Sequence, residues 1–353
     1  MLGNTLPLLS ICCLGYNHAK FLEENLNSIK NIGYDNIEVV IVDDGSKDNS
    51  LDILNNIKKE FRLPIKIISQ KNTGNIGKNF NNAYKEANGE FITFISLDDV
   101  YNPKVMLKQI NTLIDNPTLA FVASSKVVSI NSEGFINSGA QALSLFSREK
   151  CTINDLLELE YSEFGAFYIQ GAIFKKSIVD AVDAFDEDMT GDDIILRTKI
   201  FRYLLEKPEY EFKIMHENAC FYRLHDNNVH KKTSRQIKIV TEYLEKYWKE
   251  RENPKILINW MCYYINNSKF EEYIRVFSMN TKTINLLENE RIKIKIKESI
   301  IKENNKFLTF FKAIYKKKKN EDGSRTVTLF SLLKFTYSSR RNQDVNIHYS
   351  TFK

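Results

Sequence analysis

Two acidic clusters in this sequence each follow an apolar run of strand length. Asp43-Asp44-Gly45-Ser46 follows residues 37–42, and Asp98-Asp99 closes the run that begins at residue 91. Adjacent carboxylates at the end of a buried strand repel each other unless a cation or a hydroxyl group partners them. A hard divalent ion with oxygen ligands would do so, and Asp98-Asp99 therefore indicates a metal site. For the first cluster a helix-capping turn is an alternative, since Asp and Ser accept backbone N–H bonds at helix starts.

A third acidic cluster, Gly191-Asp192-Asp193, stands before an apolar run that begins at Ile194. A carboxylate here can act as a general base if it lies within hydrogen-bond reach of a substrate hydroxyl. Asp192 has a second explanation, because an Asp just before a helix caps the first backbone N–H groups. Both explanations of Asp192 stay open from the sequence.

The elements that must position these clusters alternate between strand and helix. Apolar runs predict strands, and apolar residues at helical spacing predict helices; the strands are 8–13, 37–42, 65–69 and 90–96, and the helices are 19–32, 50–61 and 78–87. Such alternation builds a mostly parallel sheet covered by helices, so the predicted fold class is α/β. Ligands of open α/β sheets bind beyond the carboxyl ends of the strands, where the first two clusters stand. No GxGxxG motif follows a predicted strand, which argues against a dinucleotide-binding domain.

Length and charge predict two regions. The chain has 353 residues and 43% hydrophobic residues, enough for one large α/β domain and a smaller appendage. Residues 1–234 carry 25 Lys and Arg against 32 Asp and Glu, whereas residues 235–353 carry 25 against 13. Helical spacing continues in the second region, as at 236–247 and 256–265. We therefore predict a catalytic domain over 1–234 and a basic, mainly helical region over 235–353.

Composition also bears on compartment. Five scattered cysteines include no CxxC pair, which suits neither a disulfide framework nor a zinc site. No apolar run approaches the roughly 20 residues of a membrane-spanning helix, and Met1–Pro7 lacks the features of a secretory signal. These features predict a cytoplasmic protein.

Several motifs, taken in order, resemble glycosyltransferase family two, whose inverting enzymes have the GT-A fold, a Rossmann-like nucleotide-sugar domain. The resemblance spans roughly residues 8–230. Its motifs are the opening strand and turn (Ser10–Asn17), the nucleotide-binding turn (Val42–Ser46), the run into Asp-x-Asp (Ala87–Asp99), the Phe-Asp-Glu turn (Phe185–Glu187), the catalytic Glu-Asp motif (Gly191–Asp193) and the closing Tyr-Arg-x-His motif (Tyr222–His225).

The resemblance implies roles on the donor side. Asp44 is expected on the uracil-type base, Asp98 on the ribose, and Asp99 on a Mn²⁺ or Mg²⁺ ion that bridges the two phosphates. Such an ion neutralises the charge on the departing nucleoside diphosphate. His225 is expected on the metal or on a phosphate, with surface packing as its alternative. The remaining residues expected to bind the nucleotide sugar are Tyr16, Asn17, Lys78 and Arg223.

On the acceptor side, the resemblance makes Asp193 the general base of an inverting transfer to a glycan or lipid-linked acceptor. Asp192 stands where the family usually has Glu. Gln170-Gly171 corresponds to the floor that faces the acceptor. The chain departs from the family pattern at Ser96, which replaces the first Asp of Asp-x-Asp, and at Lys78, where the family often has Arg. Lys meets a phosphate as a point charge rather than as a fork.

Two other functions compete with this one. A nucleotidyltransferase of similar fold would need a Gly-rich phosphate loop near the N-terminus, and Leu14–Asn17 offers one glycine. A carbohydrate-binding or scaffold protein that keeps the fold without catalysis gains some support from Ser96. Assays of UDP-sugar hydrolysis with and without Mn²⁺ separate an enzyme from a scaffold.

The basic C-terminal region has two interpretations of its own. Its charges alternate with apolar residues, as at Arg291–Lys297 and Phe307–Lys319. They can form a solvated helical face, or they can hold the chain on an anionic membrane surface near a lipid-linked acceptor, at about 1 kcal/mol per well-placed Lys or Arg. Lys316–Lys319 with Asn320–Ser324 is predicted to be a solvated loop. Nucleic-acid binding is not predicted, because no aromatic and basic platform of known type accompanies the charge.

Overall fold

The chain folds as an α/β protein, as the sequence predicts. The structure, a computed structural model, describes residues 6–137, 151–225, 233–303, 315–320, 325–329, 333–337 and 348–351. The strands of its main sheet are β1 (Leu9–Gly15), β2 (Ile37–Asp43), β3 (Ile65–Ser69), β4 (Phe91–Ser96), β5 (Val100–Tyr101), β6 (Leu119–Ile130), β7 (Ala172–Lys175) and β8 (Glu211–Arg223). The helices between these strands are α1 (Leu22–Lys30), α2 (Ser50–Glu60), α3 (Ile76–Tyr84), α4 (Pro103–Asp115), α5 (Ile153–Ser162), α6 (Lys176–Asp180) and α7 (Asp193–Leu205).

The main sheet has the strand order β3-β2-β1-β4-β7-β6-β8-β5. Strands β1 to β4 pair in parallel, as do β6 and β8, whereas β7 pairs antiparallel with both of its neighbours. The short β5 pairs antiparallel with β8. Strand β8 therefore lies between β6 and the two residues that follow Asp98-Asp99.

Both faces of the sheet are covered, which explains the near-continuous apolar runs of its central strands. In β1, Ile11 and Cys13 belong to one apolar cluster and Cys12 to another. In β2, Val39 and Val40 divide in the same way. Alternate residues of one strand point to opposite faces, so each of these strands buries apolar side chains on both sides.

Helix ends are set by local side chains. Asn75 accepts the backbone N–H of Lys78 at the start of α3, and Thr152 with Asp155 forms a capping box at the start of α5. Helix α4 begins at Pro103, a position where the missing N–H costs no helical hydrogen bond. Helices α2 and α7, which follow the acidic clusters at 43–46 and 191–193, begin without a side-chain capping bond.

The chain forms two compact units. The first comprises Met1–Lys232 with Glu242–Pro254, and the second comprises Thr233–Thr241 with Lys255–Lys353. The helices from residue 233 onward are α8 (Thr233–Tyr247), α9 (Lys255–Asn267), α10 (Phe270–Phe277), α11 (Thr281–Asn285) and α12 (Glu290–Glu303). In the second unit α12 packs on α9, and the Arg291 guanidinium donates to Asn259 Oδ1 at 3.0 Å.

The C-terminal region is helical as predicted, but it also contains strands that the sequence analysis missed. Residues 315–351 include β9 (Tyr315–Lys319), β10 (Arg325–Leu329), β11 (Leu333–Tyr337) and β12 (His348–Thr351), which pair antiparallel in the order β12-β11-β10-β9. The loop predicted over Lys316–Lys319 is wrong, because these residues pair with the β-branched segment Arg325–Leu329. Residues 307–314 and 321–324 lie outside the described residues. Among the described helices, none combines the length and apolarity needed to span a bilayer.

Candidate active site

The turn Asp98-Asp99 is held rigidly between β4 and β5 by helix α1. The Asn25 side-chain amide donates to the backbone carbonyls of Asp99 at 2.8 Å and Ser96 at 3.3 Å. The Ser28 hydroxyl accepts the backbone N–H of Tyr101 at 3.1 Å. Asn25 is fully buried, and both aspartates are nearly so. The turn can therefore present carboxylate oxygens with little conformational freedom.

Asp98 meets two histidines from distant parts of the sequence. His225, just after β8, shares a hydrogen bond of 2.9 Å between Nε2 and Asp98 Oδ2. His18, just after β1, places its Nε2 3.8 Å from the same oxygen. One ligand atom from each of the three residues lies within 4.8 Å of the others. Phe21 packs against both imidazole rings, at centroid distances of 6.2 Å to His18 and 5.3 Å to His225.

The electrostatics of this cluster differ from residue to residue. Burial alone would raise the pKa of Asp98, but the hydrogen bond from His225 and the charge of His18 lower it to about 2. Burial lowers the pKa of His18, although Asp98 opposes that effect. Burial and the neighbouring Asp98 carboxylate raise the pKa of Asp99 well above its ordinary value. One carboxylate is thus held ionised beside a second that resists ionisation.

Two oxygens of this turn and one nitrogen of His18 suit a cation. Asp98 Oδ1, Asp99 Oδ2 and His18 Nδ1 are buried and have no hydrogen-bond partner among the described residues. Buried polar atoms without partners are costly unless another group satisfies them. Carboxylate oxygens with imidazole nitrogens form a common donor set for Mn²⁺, and the residues present fit a divalent cation of this kind.

His18 is a functional candidate that the sequence analysis missed. The sequence feature that could have identified His18 is its position next to Asn17, in the turn after β1. That turn lies at the edge of the sheet where ligands bind. The sequence analysis expected Asp98 on the ribose and Asp99 with His225 on the metal. The structure brings Asp98, rather than Asp99, into the cluster with His225.

Arg223 has a different environment from the one expected for a phosphate contact. Its side chain is fully buried, and its Nε donates to the Asp98 carbonyl at 2.7 Å and its Nη1 to the Asn131 carbonyl at 3.0 Å. Its Nη2 meets Glu24 Oε2 at 2.5 Å. Its backbone N–H donates to Asp99 Oδ1 at 2.9 Å. Arg223 therefore links β8 to the Asp98-Asp99 turn and to α1.

The nucleotide-binding turn of the sequence analysis lies at the end of β2. Asp44 Oδ1 accepts the Gln70 side-chain amide at 2.9 Å and the Thr73 backbone N–H at 2.8 Å. These bonds fix the loop between β3 and α3 against Asp44. The helix-capping alternative does not describe this turn, because α2 begins only at Ser50.

The turn after β1 is hydrogen-bonded to the turn after β2. Asn17 donates its backbone N–H to Ser46 Oγ at 2.9 Å and accepts the Lys47 N–H at 2.7 Å through its side chain. Asn17 adopts a φ of 57°, which Asn tolerates better than most residues. Tyr16 is 38% exposed, and Lys78 is exposed in the first turn of α3. The structure shows no contact of these two side chains with Asp44 among the described residues.

The base candidates stand at the start of α7. Asp192 occupies the N-cap position but makes no capping hydrogen bond with its side chain, so the capping explanation does not hold. Burial and the charge of Asp193 raise the pKa of Asp192 to about 7. Asp193 Oδ2 lies 3.4 Å from Nη1 of Arg197, one turn later on the same helix. The charge of Asp193 also raises the pKa of Asp99, so these two carboxylates lie within each other's electrostatic field.

The residues predicted to face the acceptor lie in the 3₁₀ helix Ile169–Gly171. Gln170 and Gly171 form a short 3₁₀ turn before β7, and the Gly171 carbonyl accepts the Gln109 side-chain amide at 2.9 Å. Gln170 Oε1 is buried without a partner among the described residues. The Tyr168 and Tyr222 rings pack with centroids 5.8 Å apart, and the charge of Asp193 acts on both phenols.

Comparison with known families finds a match in the first part of the chain. Residues 10–178 match the family described as Glycosyl transferase family 2. A glycosyltransferase of Nostoc sp., itself uncharacterised, is 26% identical over 228 residues, which cover 63% of this chain and 66% of the relative. The GalNAc(5)-diNAcBac-PP-undecaprenol β-1,3-glucosyltransferase of Campylobacter jejuni is 24% identical over 219 residues, which cover 62% of this chain and 65% of the relative. The match thus spans slightly less than two thirds of these curated relatives.

Solved structures share the fold. The crystal structure of Staphylococcus aureus TarS 1–349 in complex with UDP-GlcNAc aligns with a TM-score of 0.56 and 17% identity, covering 91% of this chain and 97% of that one. A mannosyltransferase from Pyrobaculum calidifontis in complex with GDP-Man and Mn²⁺ aligns with a TM-score of 0.52 and 15% identity, covering 85% of this chain and 87% of that one. The TM-scores show that the fold is shared, and at identities this low they show the fold alone.

Proposed function

We propose that the chain moves one sugar from a nucleotide sugar to a hydroxyl group of a glycan or lipid-linked acceptor, with inversion, because residues 10–178 match Glycosyl transferase family 2. The observation that carries this proposal is the Asp98-Asp99 turn. Asp98 Oδ1 and Asp99 Oδ2 are buried without a hydrogen-bond partner among the described residues, and Asp98 clusters with His18 and His225. A rigid anionic turn at the carboxyl edge of an α/β sheet suits a metal–diphosphate complex.

The donor side of the proposal assigns the metal to Asp98, Asp99, His18 and His225. When bound, a divalent ion neutralises the charge that develops on the departing diphosphate. Asp44, just after β2, accepts the Thr73 backbone N–H and so holds that loop. We propose that the base of the nucleotide binds beside Asp44. Lys78, in the exposed first turn of α3, is proposed to contact a phosphate of the donor.

The acceptor side assigns the general base to Asp193. Its carboxylate is one quarter exposed, so a substrate hydroxyl can reach it. Asp193 would take the hydroxyl proton while the acceptor oxygen bonds to the anomeric carbon and the bond to the nucleoside diphosphate breaks. The raised pKa of Asp192 does not decide between the two carboxylates, because a base whose pKa lies near neutral pH also takes a proton readily. The assignment to Asp193 rests on its place in the motif and on its partly exposed carboxylate.

The substrate class is proposed from the relatives. The Campylobacter jejuni relative is named for an undecaprenol-diphosphate acceptor, and a Bacillus spizizenii relative, 34% identical over 128 residues, is a poly(ribitol-phosphate) β-glucosyltransferase. That second match covers 36% of this chain and 20% of the relative. We propose a lipid-linked or polymeric surface glycan as the acceptor and a UDP-sugar as the donor, on the inner face of the cytoplasmic membrane.

A donor screen tests the proposal. The chain is heated with Mn²⁺ and, in turn, UDP-GlcNAc, UDP-glucose, UDP-galactose and GDP-mannose; the true donor raises the melting temperature most. Release of UDP from that donor is then measured with and without Mn²⁺. Metal-dependent release that falls in Asp98→Asn supports transfer chemistry. A melting temperature that no nucleotide sugar changes, together with no nucleotide release, rejects the proposal.

We further propose that the basic C-terminal region holds the chain on an anionic membrane. Strand β9 contributes four consecutive lysines, Lys316–Lys319, and residues 235–353 carry a strong excess of positive charge. Such charge attracts anionic lipid and weakens with salt. The full chain should co-sediment with vesicles of anionic lipid, and not of neutral lipid, at low ionic strength.

A charge-removal variant tests the membrane proposal. Replacing Lys316–Lys319 with Gln should abolish co-sedimentation and leave UDP release unchanged. The matched control replaces four exposed lysines of the first unit with Gln, namely Lys58, Lys59, Lys104 and Lys213. Equal sedimentation of both variants with anionic vesicles would contradict the proposal.

A further inference from the structure

A buried ion pair lies directly behind the proposed base. Arg197 Nε and Nη2 donate to the two carboxylate oxygens of Glu160 at 2.7 and 3.2 Å, the bidentate geometry of a strong pair. The Glu160 side chain is fully buried, and 4% of the Arg197 side chain is exposed. Buried charged groups of this kind are rare unless paired, and the proposed mechanism so far uses neither.

Glu160 is fully occupied by its partners. Besides the two bonds from Arg197, its Oε1 accepts the backbone N–H of Ala166 at 3.0 Å. That bond ties the end of α5 to the segment before the Tyr168 ring. Phe167 covers the guanidinium, with the ring centroid 5.6 Å from Arg197 Cζ. The ion pair is therefore fixed on two sides by packing and by backbone.

The third nitrogen of Arg197 reaches the base. Nη1 lies 3.4 Å from Asp193 Oδ2, longer than the two bonds to Glu160. A lone guanidinium beside a carboxylate would stabilise the ionised form and make the carboxylate a weaker base. Here the charge of Arg197 is already balanced by Glu160, so the contact can orient Asp193 while withdrawing little of its basicity.

We infer that Glu160 and Arg197 form a neutral positioning pair for the general base, an inference that rests on the proposed function. Arg197 fixes the orientation of the Asp193 carboxylate, and Glu160 cancels the charge of Arg197. Neither residue touches the reacting atoms. The pair explains why a buried Arg and a buried Glu, 37 residues apart in sequence, meet behind the one exposed carboxylate of α7.

The titratable groups around Asp193 differ in their electrostatic effect on its carboxylate. Asp192 on the same helix and Asp99 on the β4–β5 turn are carboxylates within its field, and Tyr168 and Tyr222 are neutral phenols. The negative charges of Asp192 and Asp99 repel the Asp193 carboxylate, and the positive charge of Arg197 attracts it. Removing the Glu160 charge therefore shifts the balance towards ionised Asp193.

The first experiment follows the titration of Asp193 without any substrate. Full-length protein labelled with ¹³C at aspartate carboxyl carbons is titrated by NMR, and Asp193→Asn identifies the signal. In Glu160→Gln the midpoint of that signal should fall by about one pH unit or more, because the positive charge of Arg197 is no longer balanced. In Glu160→Gln combined with Arg197→Met, the midpoint should return towards the wild-type value.

The second experiment follows nucleotide release from the donor chosen by the thermal screen. In Glu160→Gln the acid limb of the rate profile should move to lower pH, and the plateau should fall about 10-fold as the base weakens. The KM for the donor should stay unchanged, because the donor side is untouched. Arg197→Lys is the second variant. It keeps the positive charge but loses the bidentate guanidinium, so kcat should fall while the KM for the donor stays unchanged.

Glu158→Gln is the matched control. Glu158 lies on the same helix α5 and forms a bidentate pair with Arg251 at 2.9 and 3.1 Å, but that pair is exposed and does not contact Asp193. Its rate profile and Asp193 midpoint should equal those of the wild type. Equal changes in Glu158→Gln and Glu160→Gln would overturn the inference, since the effect would then be general.

The two experiments separate the inference from the proposed function. A wild-type chain that releases no nucleotide from any donor rejects the proposed function, and the NMR titration still decides whether the pair balances charge at Asp193. An active wild-type chain whose Asp193 midpoint does not move in Glu160→Gln rejects the positioning pair alone. Should Glu160→Gln not fold, Arg197→Lys still tests the orienting role, and an unchanged kcat in that variant rejects it.

Discussion

The donor side and the base side of this domain place carboxylates in opposite ways. On the donor side, Asp98 and Asp99 lie nearly buried on a rigid turn, and two of their oxygens have no protein donor among the described residues. On the base side, Asp193 is partly exposed and is contacted by Arg197 from an ion pair that is otherwise complete. Under the proposed assignment, the cation site leaves ligand atoms unsatisfied, whereas the general base is a carboxylate held by an Arg whose charge is already balanced.

The largest expected effect tests the donor half of this comparison. Asp98→Asn and Asp99→Asn should each lower transfer by about 1,000-fold, because an amide is a poor ligand for the ion that neutralises the diphosphate. Each variant keeps an acceptor oxygen, so the hydrogen bonds of His225 and of the Arg223 backbone can persist. The Mn²⁺-dependent rise in melting temperature should disappear in both. Near-normal transfer at saturating Mn²⁺ would remove the metal assignment.

The next effect tests the base half. Asp193→Asn keeps the shape of the side chain but cannot take a proton, so kcat should fall by about 100-fold or more while the donor Kd stays near the wild-type value. Asp192→Asn serves as the neighbouring control and should cost less than about 10-fold in kcat. If Asp192→Asn proves the more damaging change, the general base is Asp192.

A smaller effect separates His18 from an ordinary surface histidine. His18→Gln should weaken Mn²⁺ binding by about 10-fold, because it removes one imidazole from the cluster around Asp98. The control is His216→Gln on β8, whose imidazole bonds to Ser125 at 3.1 Å and lies outside the cluster. Mn²⁺ affinity is measured by calorimetry. Equal affinities of the two variants would exclude His18 from the metal site.

The smallest effect concerns stability and pH. The pKa of Asp192 is raised to about 7 in the folded chain, so the folded state binds this proton more tightly than the unfolded state. The free energy of unfolding of the wild type should therefore fall as pH rises from about 4 to about 7 through this group. Asp192→Asn lacks that fall, and its melting temperature should exceed the wild-type value by about 2 °C or more at pH 8, with little difference at pH 4. A constant difference at all pH values would contradict the raised pKa.

Much of the fold could be predicted because its signals are local. The strands β1 to β4 and the helices between them follow from apolar runs and helical spacing, and the structure matches them within a few residues. The turns at Asp44 and Asp98 stand where strands end, so their place at one edge of the sheet also followed from the sequence. The C-terminal strands were missed because four consecutive lysines give no strand pattern by themselves.

The rest of the site depends on contacts between distant residues. Glu160 looks like an exposed residue of an amphipathic helix, and nothing near it in sequence shows that it pairs with Arg197. Likewise, Arg223 carries a charge that suits a phosphate, yet its guanidinium donates to the carbonyls of Asp98 and Asn131. Which partner a long charged side chain chooses is decided by the packing of whole elements.

The position of β8 between β6 and β5 has a consequence for the order of folding during synthesis. The turn that presents Asp98 is followed by β5, whose partner β8 is made about 120 residues later. A nascent chain that ends before Arg223 lacks the backbone donor of Asp99 and the side chain that holds the Asp98 carbonyl. The Asp98-Asp99 turn can therefore mature only after β8 leaves the ribosome, and a chain released before that point should lack an ordered turn.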